Sequence, residues 1–342
     1  MPLTERSHSL NTYALPKIWY KSHMMEYRTA DISFFNKQMQ SWLFADMLEK
    51  PADLVKYRSS EKGGLSLHHI KAKSLAILAK SFMETSCHEN YLHSQYHKAL
   101  LDWNVFDNHD IPPPIQSPYY SKEFYNQIKS AVAINKPIAS MNSKDWYNFM
   151  LSSVIYEPDS ENLIPCRVEI KNPLNDWDKS WSVARLGGLS SDSTSFLWLL
   201  LHQLLPVRER LERILPSVTS SSCQTCETGE TDSLVHALAY CSSSSAVFNW
   251  MMDGLSQFSV NVSVEKILVL DFTLSEPLPH NELALVWFTA ETLQRIWRCR
   301  KEGKSCLLEN VRAQLANAEM TVRETKFGDI SPIIQQMIEN IN

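Results

Sequence analysis

The stretch CQTCETGETDSLVHALAYC, Cys223 to Cys241, decides how the chain is read. Its cysteines and histidine follow the pattern Cys-x2-Cys-x9-His-x4-Cys. Two cysteines separated by two residues can hold one ion from a tight knuckle, and Gly229 eases the loop that leaves it. Asp232 or Thr231 is then expected to N-cap a helix, and His236 and Cys241 to project from that helix, or from its frayed end, back toward the knuckle. Three thiolates and one imidazole complete a tetrahedral shell, which suits Zn2+ and leaves no position for a substrate. The competing reading makes His236 a helix-face histidine and the cysteines ordinary buried thiols. The last two ligands lie within 16 residues of Cys226, in a chain with only seven cysteines, which favours the metal. A closed centre of this kind is structural. It contributes on the order of 10–16 kcal/mol of metal affinity to folding and performs no chemistry.

The flanking segments predict helices. Upstream, STSFLWLLLHQLL (193–205) reads as a buried helix, and Pro206 as the first residue of the next one, PVRERLERIL. Downstream, helices are expected around Leu234 and from Ala246 to Phe258. Two long amphipathic segments follow. In NELALVWFTAETLQRIWR, Leu283, Val286, Trp287, Ala290, Leu293 and Trp297 share one side. In LLENVRAQLANAEMTVRE, Leu307, Val311, Leu315, Ala318 and Val322 do so.

The first third has the same character. Asp31 is read as the cap of a run in which Ile32, Phe35, Met39 and Trp42 recur at helical spacing. Gly63 and Gly64 mark a turn, and LSLHHIKAKSLAILAKSFMET (65–85) a long helix. A further helix is expected over 90–103, and shorter ones over 122–134 and 143–155. The segment DNHDIPPPIQSPYY (107–120) is the clearest linker, because three consecutive prolines block helix. From Tyr156 to Arg185 the chain reads as irregular, with Trp177 and Trp181 packing onto a neighbour. The expected class is therefore mainly α, divided into a helical region 1–106, a linker and connector region 107–185, and a zinc-binding helical region with its C-terminal helices, 186–342.

Composition narrows the function. With 44% hydrophobic residues in 342, the chain can bury a sizeable core, and only eight glycines disfavour Gly-rich phosphate loops. The opening residues contain no apolar signal segment, and no apolar run is long enough to span a bilayer. The expectation is an intracellular protein, nuclear or cytoplasmic, not secreted and not in a membrane. No nucleophile elbow, P-loop, dinucleotide fingerprint or adjacent aspartate pair occurs. His93 and His97 lack a third metal ligand, and His280-Asn281-Glu282 lacks the Pro-Cys-x2-Cys of zinc deaminases. No enzyme activity is expected of the chain by itself. The net charge of -5 gives nucleic-acid binding no global support. Local basic clusters exist nevertheless: Lys50 to Lys80, then Arg208, Arg210 and Arg213 beside the knuckle, then Arg295, Arg298, Arg300, Lys301 and Lys304. Each could neutralise phosphates or simply be a solvated face.

Taken in order, LPKIWYKSH, EKGGLSLHHIKAKSLAILAKS and FLWLLLHQLLPVRERLERIL leading into the knuckle resemble the carboxy-terminal part of a non-LTR (LINE-type) retrotransposon reverse transcriptase. The Gly-Gly-Leu-x-Leu element is similar to what lies beyond that enzyme's thumb. The later motifs are similar to its reverse transcriptase zinc-binding domain. The resemblance implies zinc on Cys223, Cys226, His236 and Cys241, and a grip on RNA or DNA during target-primed reverse transcription, with backbone contacts from Arg208, Arg210 and Arg213. The Arg295–Lys304 cluster is added from charge alone. The family's Phe/Tyr-x-Asp-Asp pair has no counterpart, Phe44-Ala45-Asp46-Met47 being only an echo, and the endonuclease is absent. Two-metal phosphoryl transfer needs those carboxylates. The chain thus reads as a non-catalytic piece cut after the palm. The alternative is a zinc-stabilised helical module or decayed retroelement remnant without nucleic-acid affinity, which meets a protein partner through the helices after Asn281.

Overall fold

The computed structural model describes residues 1–45, 47, 50–51, 53–86, 92–106, 119–155, 176–186, 188–226, 228–258, 263–271 and 280–339. Among them the chain is helical, with no sheet and one isolated antiparallel bridge, Ser222 to Thr231. No described helix is long and apolar enough to cross a membrane. Of the linker expected at 107–120, residues 107–118 lie outside the described residues, as do 156–175. The chain forms two compact units. One comprises Glu5–Ala45 and Ser66–Ile164, the other Met1–Thr4, Asp46–Leu65 and Pro165–Asn342.

The first unit is built on the helix Ile70–Ser86. Alanines and β-branched or long aliphatic side chains occupy most of its turns, so it is buried on nearly all sides rather than along one stripe. Helices Ser143–Ile155, Leu92–Asn104, Lys122–Ala133, Leu15–Ser22 and Thr29–Leu43 pack around it. Phe82 sits at the middle of an aromatic cluster, edge-on to Phe124, Tyr125, Tyr120 and His97. Trp146, fully buried, closes the same core with Ile128 and Met150. Three expectations shift here. Leu67 is buried but precedes the helix. Asp31 is not the N-cap of Thr29–Leu43. Arg28 holds that position, and Asp31, three residues on, accepts the Arg28 backbone N–H. The helix also buries Leu43 and leaves Trp42 exposed, because burial follows the Ile32–Met39–Leu43 row.

The second unit is built on the helix His280–Lys301. From Ala284 to Leu293 every residue is buried, so this segment is a central helix and not the amphipathic one its periodicity predicts. Three of its buried polar side chains donate to backbone carbonyls. Thr289 and Thr292 donate to the carbonyls of Leu285 and Phe288, and Trp287 Nε1 donates to Gly188 O. Helices Ser191–Leu201, Ser245–Gln257, Leu308–Arg323 and Ser331–Glu339 surround it. Leu308–Arg323 keeps the expected stripe, with Val311, Leu315 and Val322 buried, although Leu307 is exposed. The helix Ser331–Glu339 has no counterpart in the sequence reading. It is tied down by Ser331, which donates to the buried Glu319.

The region read as irregular contains a helix, Trp177–Val183, capped by Asp176. Trp181 packs over Gly63, and Trp198 Nε1 and His202 Nε2 both donate to the Gly63 carbonyl. Gly63 has φ +77°, the left-handed region that glycine tolerates, while Gly64 is required because a Cβ would meet the Arg58 backbone. Pro206 is not the first residue of the next helix but lies two places before it. The next helix is Arg208–Ile214 with Val207 as N-cap.

Candidate metal centre

The knuckle is made by local turns. Gly229 takes φ +69°, Cys223 N donates to Glu230 O, and Asp232 N donates to Ser221 O, so the loop folds back on itself between the two cysteines and the histidine. The chain then enters a helical turn capped by Ser233, whose Oγ accepts the His236 N–H at 3.1 Å. Ser233, and not Asp232 or Thr231, is thus the cap. His236–Tyr240 is a π turn, in which Cys241 N donates to His236 O at 2.7 Å. Five residues of α-helix would set His236 and Cys241 about 140° apart around the axis, since each residue turns about 100°. The wider π turn lets both face the knuckle.

Cys223, Cys226, His236 and Cys241 are all buried, and their ligand atoms lie within 4.8 Å of one another. Cys223 Sγ and Cys241 Sγ are 3.9 Å apart, and Cys226 Sγ lies 3.3 Å from His236 Nε2. Around a tetrahedral zinc with bonds of about 2.3 Å to sulfur and 2.0–2.1 Å to nitrogen, those separations would be roughly 3.8 and 3.6 Å. The donor set and its spacing therefore fit a structural zinc ion. His236 presents Nε2 to the centre while its Nδ1 pairs with Glu230 at 2.8 Å, which fixes the ring's orientation.

The proton balance within the cluster is divided between its members. Burial acts to raise the Cys223 thiol, but donors from Arg300 and from the Thr225 and Cys226 backbone outweigh it and bring it down to about 6. Thr228 beside Cys226 lowers that thiol as well. Burial raises Cys241. Burial would lower His236, yet the adjoining Cys223 and Cys226 sulfurs prevail and raise it.

Two residues at the centre were not legible in the motif. Asp232 is 2% exposed in its side chain; its Oδ2 accepts the Arg208 backbone N–H at 2.9 Å and its Oδ1 pairs with Arg300. Arg300, from the end of the central helix, also points nitrogens at Cys241 Sγ (3.9 Å) and Cys223 Sγ (3.6 Å). Cap-type residues near a knuckle are a weak signal for Asp232, and nothing in sequence links it to a residue 68 positions away.

The remaining cations are dispersed. Arg208 Nε donates to Ser220 O inside the loop, and Arg213 pairs with Glu209 on its own helix. Arg210 is half-buried. Arg295 is turned inward onto the buried Glu291. Arg298 and Lys304 both pair with Glu302 on the surface, and Lys301 is exposed. Cys299 and Cys306 are free thiols, and burial pushes Cys306 up to about 12. Cys87 and Cys166 lie outside the described residues. No protein-family model matches the sequence, and a comparison with curated proteins returns no match.

Proposed function

We propose that the chain is a zinc-stabilised helical interaction module, in which one closed Cys3His centre holds a polar loop onto a helical unit and does no chemistry itself. The observation that carries this reading is the convergence of four buried ligands. Four protein donors fill a tetrahedral shell, whereas catalytic zinc sites have three protein ligands and one open position. Three thiolates also suit a reducing compartment, nuclear or cytoplasmic. The partner surface we assign to the C-terminal helices, of which Leu308–Arg323 leaves Met320 exposed. The central helix His280–Lys301 is too deeply packed to serve.

The reverse transcriptase resemblance supports a second reading, a grip on RNA or DNA by a palm-less fragment. Its requirement is a set of free phosphate-binding cations. Of the eight assigned from sequence, Arg208, Arg295 and Arg300 spend their charge inside the fold. The pairs of Arg213, Arg298 and Lys304 are exposed, where solvent and salt screen them, and would yield to phosphate. Pairing therefore weakens this reading without removing it.

Purified without added metal, the full chain should carry one zinc per molecule by elemental analysis. Titrated with single-stranded RNA and with duplex DNA, it should show no affinity that falls steeply with salt. Steep salt dependence would move the assignment to the nucleic-acid reading. Metal-free folded protein would end both.

A further inference from the structure

A zinc ion held by three thiolates and a neutral imidazole carries one net negative charge. Cys223, Cys226 and Cys241 are buried, so water solvates that charge poorly, and a buried unpaired charge is expensive. Among the described residues one cation reaches the cluster. Arg300 sits in the last turn of His280–Lys301, with Nη1 3.9 Å from Cys241 Sγ and Nη2 3.6 Å from Cys223 Sγ. Its side chain is only 12% exposed. The same guanidinium pairs with Asp232, which in turn holds the first backbone N–H of Arg208–Ile214.

The last turn of a helix favours any cation, and Arg298 and Lys301 occupy it too. Those two stay exposed. Arg300 alone of the three turns inward and divides its donors between two sulfurs and a carboxylate. A planar fork can do this, whereas the compact ammonium of lysine would serve as a single point charge.

We propose that Arg300 is a positioning residue of the metal centre: it offsets the charge of the thiolate shell and, through Asp232, clamps the end of the central helix onto the knuckle. Metal retention and docking of that helix end are then linked, and each strengthens the other to the same degree. This inference rests on the reading of the cluster as a structural zinc centre.

The test compares the full-length wild type with Arg300→Met and Arg300→Lys. Zinc per chain, zinc transfer to the chromogenic chelator pyridylazoresorcinol, and the thiolate-to-metal charge-transfer band of the cobalt-substituted protein are the readouts. Removing a partner of metal ligands typically weakens metal binding about 10- to 100-fold. Arg300→Met should therefore release zinc faster by about that factor and shift the band, because the donors to sulfur are gone. Arg300→Lys should lie between, restoring charge without the fork. A merely structural arginine would lower the melting temperature while leaving the band and the release rate of folded protein unchanged, and that result overturns the proposal. Should Arg300→Met fail to fold, Arg300→Lys decides: faster release with a shifted band supports the clamp, wild-type behaviour refutes it. A wild type without zinc would refute the metal centre itself, before any variant is compared.

Discussion

The core around Ile70–Ser86 and the loop around Cys223–Cys241 bury their side chains by opposite means. In the first, Phe82, Phe124, Ile128, Trp146 and Met150 lie among many other apolar neighbours. Burial of each large side chain is worth about 1.5–3 kcal/mol, so stability is spread over many contacts and no one of them is decisive. Around the second, the buried cluster consists of Cys223, Cys226 and Cys241. The loop that carries Cys223 and Cys226 is otherwise Ser, Thr, Gln, Glu and Gly, which have little apolar surface to bury. There the organising energy is concentrated in one ligand set. A distributed core degrades by degrees; a ligand set is present or lost.

The comparison can be broken most directly at the metal. Cys226→Ser removes one of four ligands and should abolish stoichiometric zinc. With it should go amide hydrogen-exchange protection across His236–Tyr240 and Ser245–Gln257, while Ile70–Ser86 keeps its protection. Equal loss in both regions would show that the two are not separately supported. Trp146→Ala attacks the other side. It should cost about 3–5 kcal/mol in denaturant melts, with zinc content unchanged; loss of zinc in this variant would count against the contrast.

Gly63→Ala sharpens it. Gly63 belongs to the same unit as the metal centre, but a Cβ there would sit 2.5 Å from Trp181 Cε2 at φ +77°. Strained backbone and overpacking together should cost about 2–4 kcal/mol. The melting temperature should fall while one zinc per chain remains, which separates packing from ligation within one unit. The smallest effect is expected from Ser121→Ala. Ser121 Oγ accepts the Phe124 N–H at 3.1 Å and caps Lys122–Ala133, so its loss should cost about 1 kcal/mol in the same melts. A cost near that of Trp146→Ala would mean that the aromatic core is less redundant than its packing implies.

Legibility followed sequence distance. The four ligands could be read because they share one short segment, and most helices because apolar spacing and caps are local signals. Arg300 could not. It appeared among neighbouring arginines and lysines as one more surface charge, and only the fold brings it to sulfurs 59 and 77 residues away. Asp232 was read as a local cap, while its carboxylate serves Arg208 and Arg300 and the adjacent Ser233 caps the turn. His280–Lys301 shows a one-sided pattern because Thr289, Glu291 and Thr292 look solvent-facing on paper. Their side chains are buried, the threonine hydroxyls on backbone carbonyls and Glu291 on Arg295 and the Ser190 N–H. The helix Ser331–Glu339 did carry a signal, with Pro332 in its first turn and Ile334, Met337 and Ile338 at helical spacing, but too few turns to stand out.

The π turn at His236–Tyr240 has a consequence for how this segment can vary. Substituting Ala237, Leu238 or Ala239 changes packing alone. Deleting one of them would let the turn revert to α-helix, in which four residues bring Cys241 back to within about 40° of His236, whereas an added residue would carry it toward the far side of the axis. Chains that share this site should therefore shorten the interval by one residue more readily than they lengthen it.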